Sequence, residues 1–337
     1  MQKSHRITIL ISLFICLLLT CGHTSFATSD YNTDNMNQNN TNQTNPETST
    51  DDFVFAFTKT PNTLKATKKY TIKTNAPADA TVQYSVSNKK YATITSKGVL
   101  KGKQVGTVTV TAVYADQTIQ CKVKIKGKKT IYLDPGHQRY ADFSTEPIGP
   151  GSSTRKEKMT GGATGVATGI PEYKFNLTIA KKLRTALQKK GYAVVMSRTS
   201  HDVKLGNVAR AKKGNKSGAD ICIRIHADSF SNPSAKGASV LYASSSNPYY
   251  AGKYAKKSKK LATKLSNSYC KATGIYNRGI VVRNDLTGTN WSKMPTVLIE
   301  CGFLSNPTED RNLNNSSFQK KMVTGMVNGI DEYFGYK

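Results

Sequence analysis

The chain has 337 residues, with 49 Lys+Arg against 21 Asp+Glu and a formal charge of +28. That length suits two domains and a tail, and that charge suits contact with polyanions. Beyond the first 27 residues no stretch is long and apolar enough to span a bilayer as a helix, which excludes a helical membrane protein.

Lys3, His5 and Arg6 precede the apolar run Ile7–Leu19, and Ser25-Phe26-Ala27 forms a small-x-small cleavage site. Residues 1–27 therefore read as a secretory signal peptide. Leu18–Gly22 offers a second route, lipidation of Cys21, although Thr20 suits a lipoprotein box poorly. Either route places the mature protein outside the cytoplasm, secreted or in the cell wall, with a membrane attachment only if Cys21 is lipidated. There the expected polyanions are anionic wall polymers, and no specific nucleic acid is expected as a partner. Residues 28–52, rich in Asn, Thr, Gln and Ser, bury too little to offset their ordering entropy and read as a disordered linker.

Residues 53–127 change character. Short alternating runs (Thr81–Val86, Tyr91–Thr95, Thr107–Val113, Ile119–Ile125) are separated by turn signals such as Ser87-Asn88, Lys97-Gly98 and Lys101-Gly102. The pattern predicts a small all-β immunoglobulin-like sandwich. Tyr84–Asn88, Ala92-Thr93-Ile94, Gly98–Gly102 and Gly106–Ala112 resemble, in order, the bacterial immunoglobulin-like group 2 family. The resemblance implies a spacer or adhesive module. The segment has no histidine and few acids, so no catalytic cluster is expected in it.

Residues 128–337 alternate strand and helix signals, which predicts an α/β domain: a mixed twisted sheet flanked by helices. Strands are expected over Thr130–Leu133, Tyr192–Ser197, Ala219–Ile225, Ala238–Tyr242, Gly279–Val282 and Thr296–Ile299. Helices are expected over Glu172–Lys190, Val203–Lys213, Tyr249–Ala272 and Phe318–Tyr333. The first helix is the best defined: Pro171 suits its start, Gly191 its end, and Phe175, Ile179, Leu183 and Leu187 recur at four-residue spacing. Cys121, Cys222, Cys270 and Cys301 are far apart with no CxxC, which excludes a zinc ribbon.

The chemistry concentrates where apolar strands end. Ile131–Gln138, IYLDPGHQ, places His137 just past a strand and a Pro-Gly turn. Ile221–Ile225 runs into His226, with its isoleucines on one face and His226 on the other. Pro295–Ile299 runs into Glu300, a carboxylate that is costly there unless paired, metal-bound or used. Glu172 opens a helix after a glycine-rich stretch, a position that taken alone better suits a carboxylate facing the helix dipole. His201, in a polar loop, reads as surface. Two histidines and one carboxylate make the three-ligand set of a catalytic zinc, and a second carboxylate then handles the proton. No HExxH is present, so the helical zinc-protease arrangement is not supported.

These motifs, with Pro171-Glu172, Ala219–Ala227 and Met294–Asn306, resemble the zinc-dependent N-acetylmuramoyl-L-alanine amidases of the Amidase_3 family. The resemblance covers essentially all of residues 129–337. It implies cleavage, in peptidoglycan, of the amide between the lactyl group of muramic acid and L-alanine. It further implies one Zn²⁺ held by His137, Glu172 and His226, with Glu300 as catalytic acid and base. Asp134 is then expected to orient a ligand from outside the coordination shell. Arg198, Arg210 and Asn215 match polar positions of the family and are its candidates for substrate contact.

Two departures stand out. Residues 138–169 look like an insertion, a lid or a mobile loop, and they make Glu146 and Glu157 rivals of Glu172 as ligand. Arg224 and Asp228, flanking His226, stand where the family often has serine and asparagine. Two other readings use the same residues: an inactive wall-binding or adhesive protein, and a zinc peptidase cutting within the stem peptide.

Overall fold

Alternation of buried and exposed residues builds the first part of the chain. The computed structural model describes residues 53–337; the expected signal peptide, Cys21 and the linker lie outside the described residues. Nine strands come first: β1 (Phe57–Lys59), β2 (Thr63–Lys65), β3 (Lys69–Thr71), β4 (Lys73–Thr74), β5 (Gln83–Val86), β6 (Ala92–Ile94), β7 (Val99–Gly102), β8 (Gly106–Tyr114) and β9 (Gln117–Lys126). They pair in the orders β2-β9-β8-β5 and β3-β7-β6, with β1 and β4 as a separate ribbon. Leu64, Val108, Val110, Val123 and Ile125 pack inward against Ile72, Ala92 and Leu100. The expected sandwich is thus present; β1 to β4 and β7 are additions to the runs read from the sequence, and Lys101-Gly102, read as a turn signal, lies inside β7.

The second part contains β10 (Thr130–Pro135), β11 (Asp142–Pro147), β12 (Arg155–Met159), α1 (Glu172–Lys189), β13 (Ala193–Met196), α2 (Asn207–Lys216), β14 (Ile221–Asp228) and β15 (Ala238–Tyr242). It continues with α3 (Gly252–Thr273), β16 (Asn277–Val282), α4 (Thr287–Asn290), β17 (Thr296–Phe303), α5 (Pro307–Asn314) and α6 (Ser316–Phe334). Six strands form one sheet in the order β13-β10-β14-β17-β15-β16. The first four are mutually parallel. β15 runs antiparallel to β17 and carries β16 parallel to itself. The sheet is therefore mixed, as expected.

The period of two divides this sheet into faces. Ile131, Leu133, Ile221, Ile223, Ile225, Val297, Ile299 and Cys301 turn one way, into the core with α1, α3 and α6. The alternate residues Asp134, Arg224, His226, Leu298 and Glu300 turn the other way. Such strands read as near-continuous apolar runs because both faces are covered. All four cysteines of the described residues are free; three are buried. No helix among the described residues is long and apolar enough to cross a membrane.

On the helical face, α3 and α6 approach closely. A β-carbon at Gly329 of α6 would lie 2.8 Å from Leu265 Cα of α3. Backbone cannot retreat as a side-chain tip can, so Gly329→Val should overpack this contact. The expected loss is about 1–3 kcal/mol of unfolding free energy, read by denaturant titration against the unmodified chain.

Candidate metal centre and its cleft

The site begins where β10 ends. His137 has φ 55°, a left-handed conformation costly for a non-glycine residue, and its chain direction is fixed on both sides. Gly136 donates its N–H to Ile225 O at 2.9 Å, and Arg210 Nη2 donates to His137 O at 2.9 Å. Gly136 also has no alternative: a β-carbon there would sit 2.1 Å from Cε1 of His226. The His226 ring occupies that space.

His137, Glu172 and His226 converge, with one ligand atom from each lying within 4.8 Å of the others. His137 Nδ1 lies 2.9 Å from Thr160 O. A carbonyl only accepts, so Nδ1 carries a proton, and Nε2 is left facing Glu172 Oε2, 3.2 Å away. A ring nitrogen and a carboxylate oxygen at that distance share either a proton or a metal ion. His226 Nδ1 lies 3.0 Å from Glu172 Oε1, while its Nε2 is buried with no partner. The donor set, two imidazoles and a carboxylate with an orphaned ring nitrogen, fits a zinc-type ion with an open position.

Glu172 is buried and held by donors: Ala163 N–H at 3.1 Å, Asn176 Nδ2 at 3.0 Å and Ala227 N–H at 3.2 Å. Burial alone would raise its pKa, but hydrogen bonds from the two histidine rings outweigh that and hold it well below the usual carboxylate range. Burial lowers His226 to about 4, so its ring is neutral, the form that ligates metal. Glu300 pairs in register with His226 across β14 and β17. Its Oε2 is buried without a partner, and burial with the neighbouring charges of Glu172 and Asp228 pushes it well above the ordinary range. His226 and Glu300 lie inside their strands, not just past them. The rivals separate clearly: Glu146 caps α2 by accepting from Val208 N–H at 3.0 Å, and neither it nor Glu157 belongs to the cluster.

These groups open onto a cleft of about 490 Å³ spread over the sheet face. The expected insertion is its wall, formed by the hairpin β11–β12 instead of a loose loop. Trp291 Nε1 donates to Pro147 O at 2.9 Å, Asn207 Nδ2 to Lys158 O at 2.8 Å, and Lys156 Nζ to Asp285 Oδ2 at 2.7 Å. Those fastenings hold in place the segment that the sequence suggested as a lid or a mobile loop. Arg283, with Nε 2.7 Å from Asp285 Oδ1, and Lys156 line the cleft and were not anticipated. The charged run Arg283-Asn284-Asp285 directly after a strand was the available signal.

The expectations for Arg198, Arg210, Asn215 and His201 need correction, and the route by which Asp134 acts is indirect. Arg198 is 2% exposed and donates to the carbonyls of Pro135, Gly136, Tyr173 and Ser200. Arg210 is 1% exposed and bonds Asp134, Pro135 O, His137 O, Gln138 and Leu205 O. Asn215 bridges Trp291 O and Lys293 N–H. None lines the cleft; their polar groups are spent on holding loops. Asp134 makes no ion pair with His137 or His226 and binds Arg210 at 2.8 Å and Arg224 at 3.0 Å. Its influence on His137 passes through Arg210 to the backbone. His201 is half-buried against Tyr173, not a surface residue.

Burial would raise Asp134, but Arg210 and Arg224 overcome this and hold it below the usual range. Asp134→Ala would leave two buried guanidinium groups unpaired, an expected loss of about 3–5 kcal/mol. A carboxyl depressed in the fold contributes fully above its unfolded pKa of about 3.9 and loses that contribution as pH falls. The difference in unfolding free energy between the two proteins should therefore be flat from neutrality to mildly acidic pH and shrink in strong acid.

Residues 131–332 match the family model described as N-acetylmuramoyl-L-alanine amidase, Amidase_3, and residues 57–125 match that of the bacterial Ig-like domain, group 2. The chain is 28% identical over 248 residues to N-acetylmuramoyl-L-alanine amidase AmiA of Salmonella typhimurium, covering 63% of this chain and 78% of that protein. It is 31% identical over 232 residues to the germination-specific N-acetylmuramoyl-L-alanine amidase of Bacillus subtilis, covering 62% of this chain and 81% of that one. Among solved structures, the amidase Ami1 of Mycobacterium smegmatis superposes with TM-score 0.56 at 28% identity, covering 63% of this chain and 99% of its own. An N-acetylmuramoyl-L-alanine amidase from Clostridium difficile 630 gives 0.51 at 30% identity, covering 63% and 100%.

Proposed function

The chain belongs to the Amidase_3 family of N-acetylmuramoyl-L-alanine amidases, and from that premise we propose that His137, Glu172 and His226 hold one zinc ion in the service of peptidoglycan hydrolysis. The observation that carries this is the buried convergence of two imidazoles and a carboxylate beside an unpaired Glu300. When bound, zinc supplies Lewis acidity to a carbonyl and acidifies water at neutral pH.

The chain's own groups do the rest. The Thr160 carbonyl fixes the tautomer and orientation of His137, as Glu172 does for His226. Glu300, raised by burial and like charge, has the proton affinity to take a proton from water and return it to the leaving alanine nitrogen. The hairpin wall and the sheet floor hold the stem peptide against these groups. We assign residues 53–127 to the Ig-like module and residues 128–337 to the catalytic domain. Export by the amino-terminal signal places the enzyme at the wall, as its substrate requires, and the lysine excess favours retention there.

Digestion of purified peptidoglycan by the full chain should release new alanine amino termini, with EDTA abolishing and Zn²⁺ restoring the reaction. Glu300→Gln should lower turnover by about 10²–10⁴-fold and keep its metal, whereas His226→Ala should lose the metal by elemental analysis. Cuts within the stem peptide, identified by mass spectrometry, would replace the amidase reading. Metal bound with no bond cut would leave a wall-binding protein.

A further inference from the structure

The Ig-like module, residues 53–127, has thirteen lysines, no arginine, and only Asp79 and Asp116 as acids. Its strand register sets lysine against lysine: Lys59 faces Lys73, Lys65 faces Lys126, and Lys69 faces Lys101. All six are exposed. Like charges facing across a sheet are destabilising, and natural sheets use such positions for attractive pairs. Every ion pair among the described residues lies within residues 128–337. The module supplies no countercharge for its own lysines.

The pair Lys65–Lys126 belongs to a longer row. On β9, Val123 and Ile125 point into the core, so Lys122, Lys124 and Lys126 point out in a row. Lys65 lies beside Lys126 on β2, and Thr107 and Thr109 lie beside Lys124 and Lys122 on β8. Lysine on an edge strand discourages strand addition, which accounts for Lys65. It does not account for β9, an interior strand between β2 and β8. Successive outward positions on a strand are about 7 Å apart, so the charges form a line, suited to a linear polyanion more than to a single phosphate.

We propose that this face, Lys65 with Lys122, Lys124 and Lys126, binds the phosphodiester backbone of a linear wall polymer laid along β9. The identity of the polymer rests on the reading of the chain as a wall hydrolase; the charged face does not. Hydroxyls of Thr107 and Thr109 are placed to donate to phosphate oxygens. The row has no aromatic on which a base would stack and no helix to enter a groove, which separates it from a nucleic-acid surface.

The test uses the full chain and a fluorescent glycerol-phosphate oligomer, with binding followed by anisotropy across a salt series. Lys122→Gln/Lys124→Gln/Lys126→Gln should weaken binding roughly tenfold or more at low salt and reduce the salt slope by about 2, three contacts at about 0.7 each. It should unfold at the same temperature as the parent or higher, because repulsion is removed; a lower temperature would contradict the cost argued above. Removal of three exposed helical lysines, Lys256→Gln/Lys259→Gln/Lys260→Gln, should leave binding nearly intact. Equal losses in both variants would mean that net charge alone acts, and would overturn the site. Tighter binding of charge-matched duplex DNA or anionic vesicles would overturn the choice of polymer. Hydrolysis of a soluble muramoyl-peptide should be unchanged in both variants, so a failure of the amidase assignment would be seen separately from a failure of this one.

Discussion

Asp134, buried between Arg210 and Arg224, is the interaction on which the rest of the catalytic domain depends. Three charges are removed from water, which is tolerable only because each is paired and hydrogen-bonded. The return is geometric. Arg210 also grips the carbonyls of Pro135 and His137, and Arg198 grips those of Pro135 and Gly136. The turn that presents His137 in a left-handed conformation is therefore held from two sides. Without such a clamp, a short loop after a strand would relax and the cluster of His137, Glu172 and His226 would lose one corner.

The same two-residue period that makes the core makes the site. Along β14 and β17, odd-numbered residues bury apolar side chains among helices, while even-numbered ones place Arg224, His226, Leu298 and Glu300 on the opposite face. A sheet with one greasy face and one chemically active face needs both covered, and the hairpin β11–β12 with α2 and α4 covers the second. The Ig-like module obeys the same alternation with a different result, since its outward positions are charged and face solvent.

Much of this was legible before any coordinates. Helix α1 announced itself through Pro171, the four-residue apolar repeat and Gly191, and the two histidines and Glu300 through their places on apolar runs. The hairpin was not legible, because DFSTEP and RKEKM carry almost no apolar alternation; its order comes from distant partners such as Trp291 and Asp285. Helix α5 was missed although Asn306, Pro307 and Glu309 spell a capped start, because its sequence is mostly polar. The roles of Arg198 and Arg210 were misplaced for a related reason. An arginine's five donors look free in a sequence, and only the fold shows them consumed by carbonyls mostly 60 or more positions away.

The crowding at Gly136 has a consequence for how this protein tolerates change. Because the imidazole of His226 fills the volume that any side chain at position 136 would need, the codon is locked as firmly as that of a reacting group, though the residue itself performs no chemistry. A saturation screen would rank it with side chains that react, and a reader of that screen alone would mistake an absence of atoms for a catalytic part.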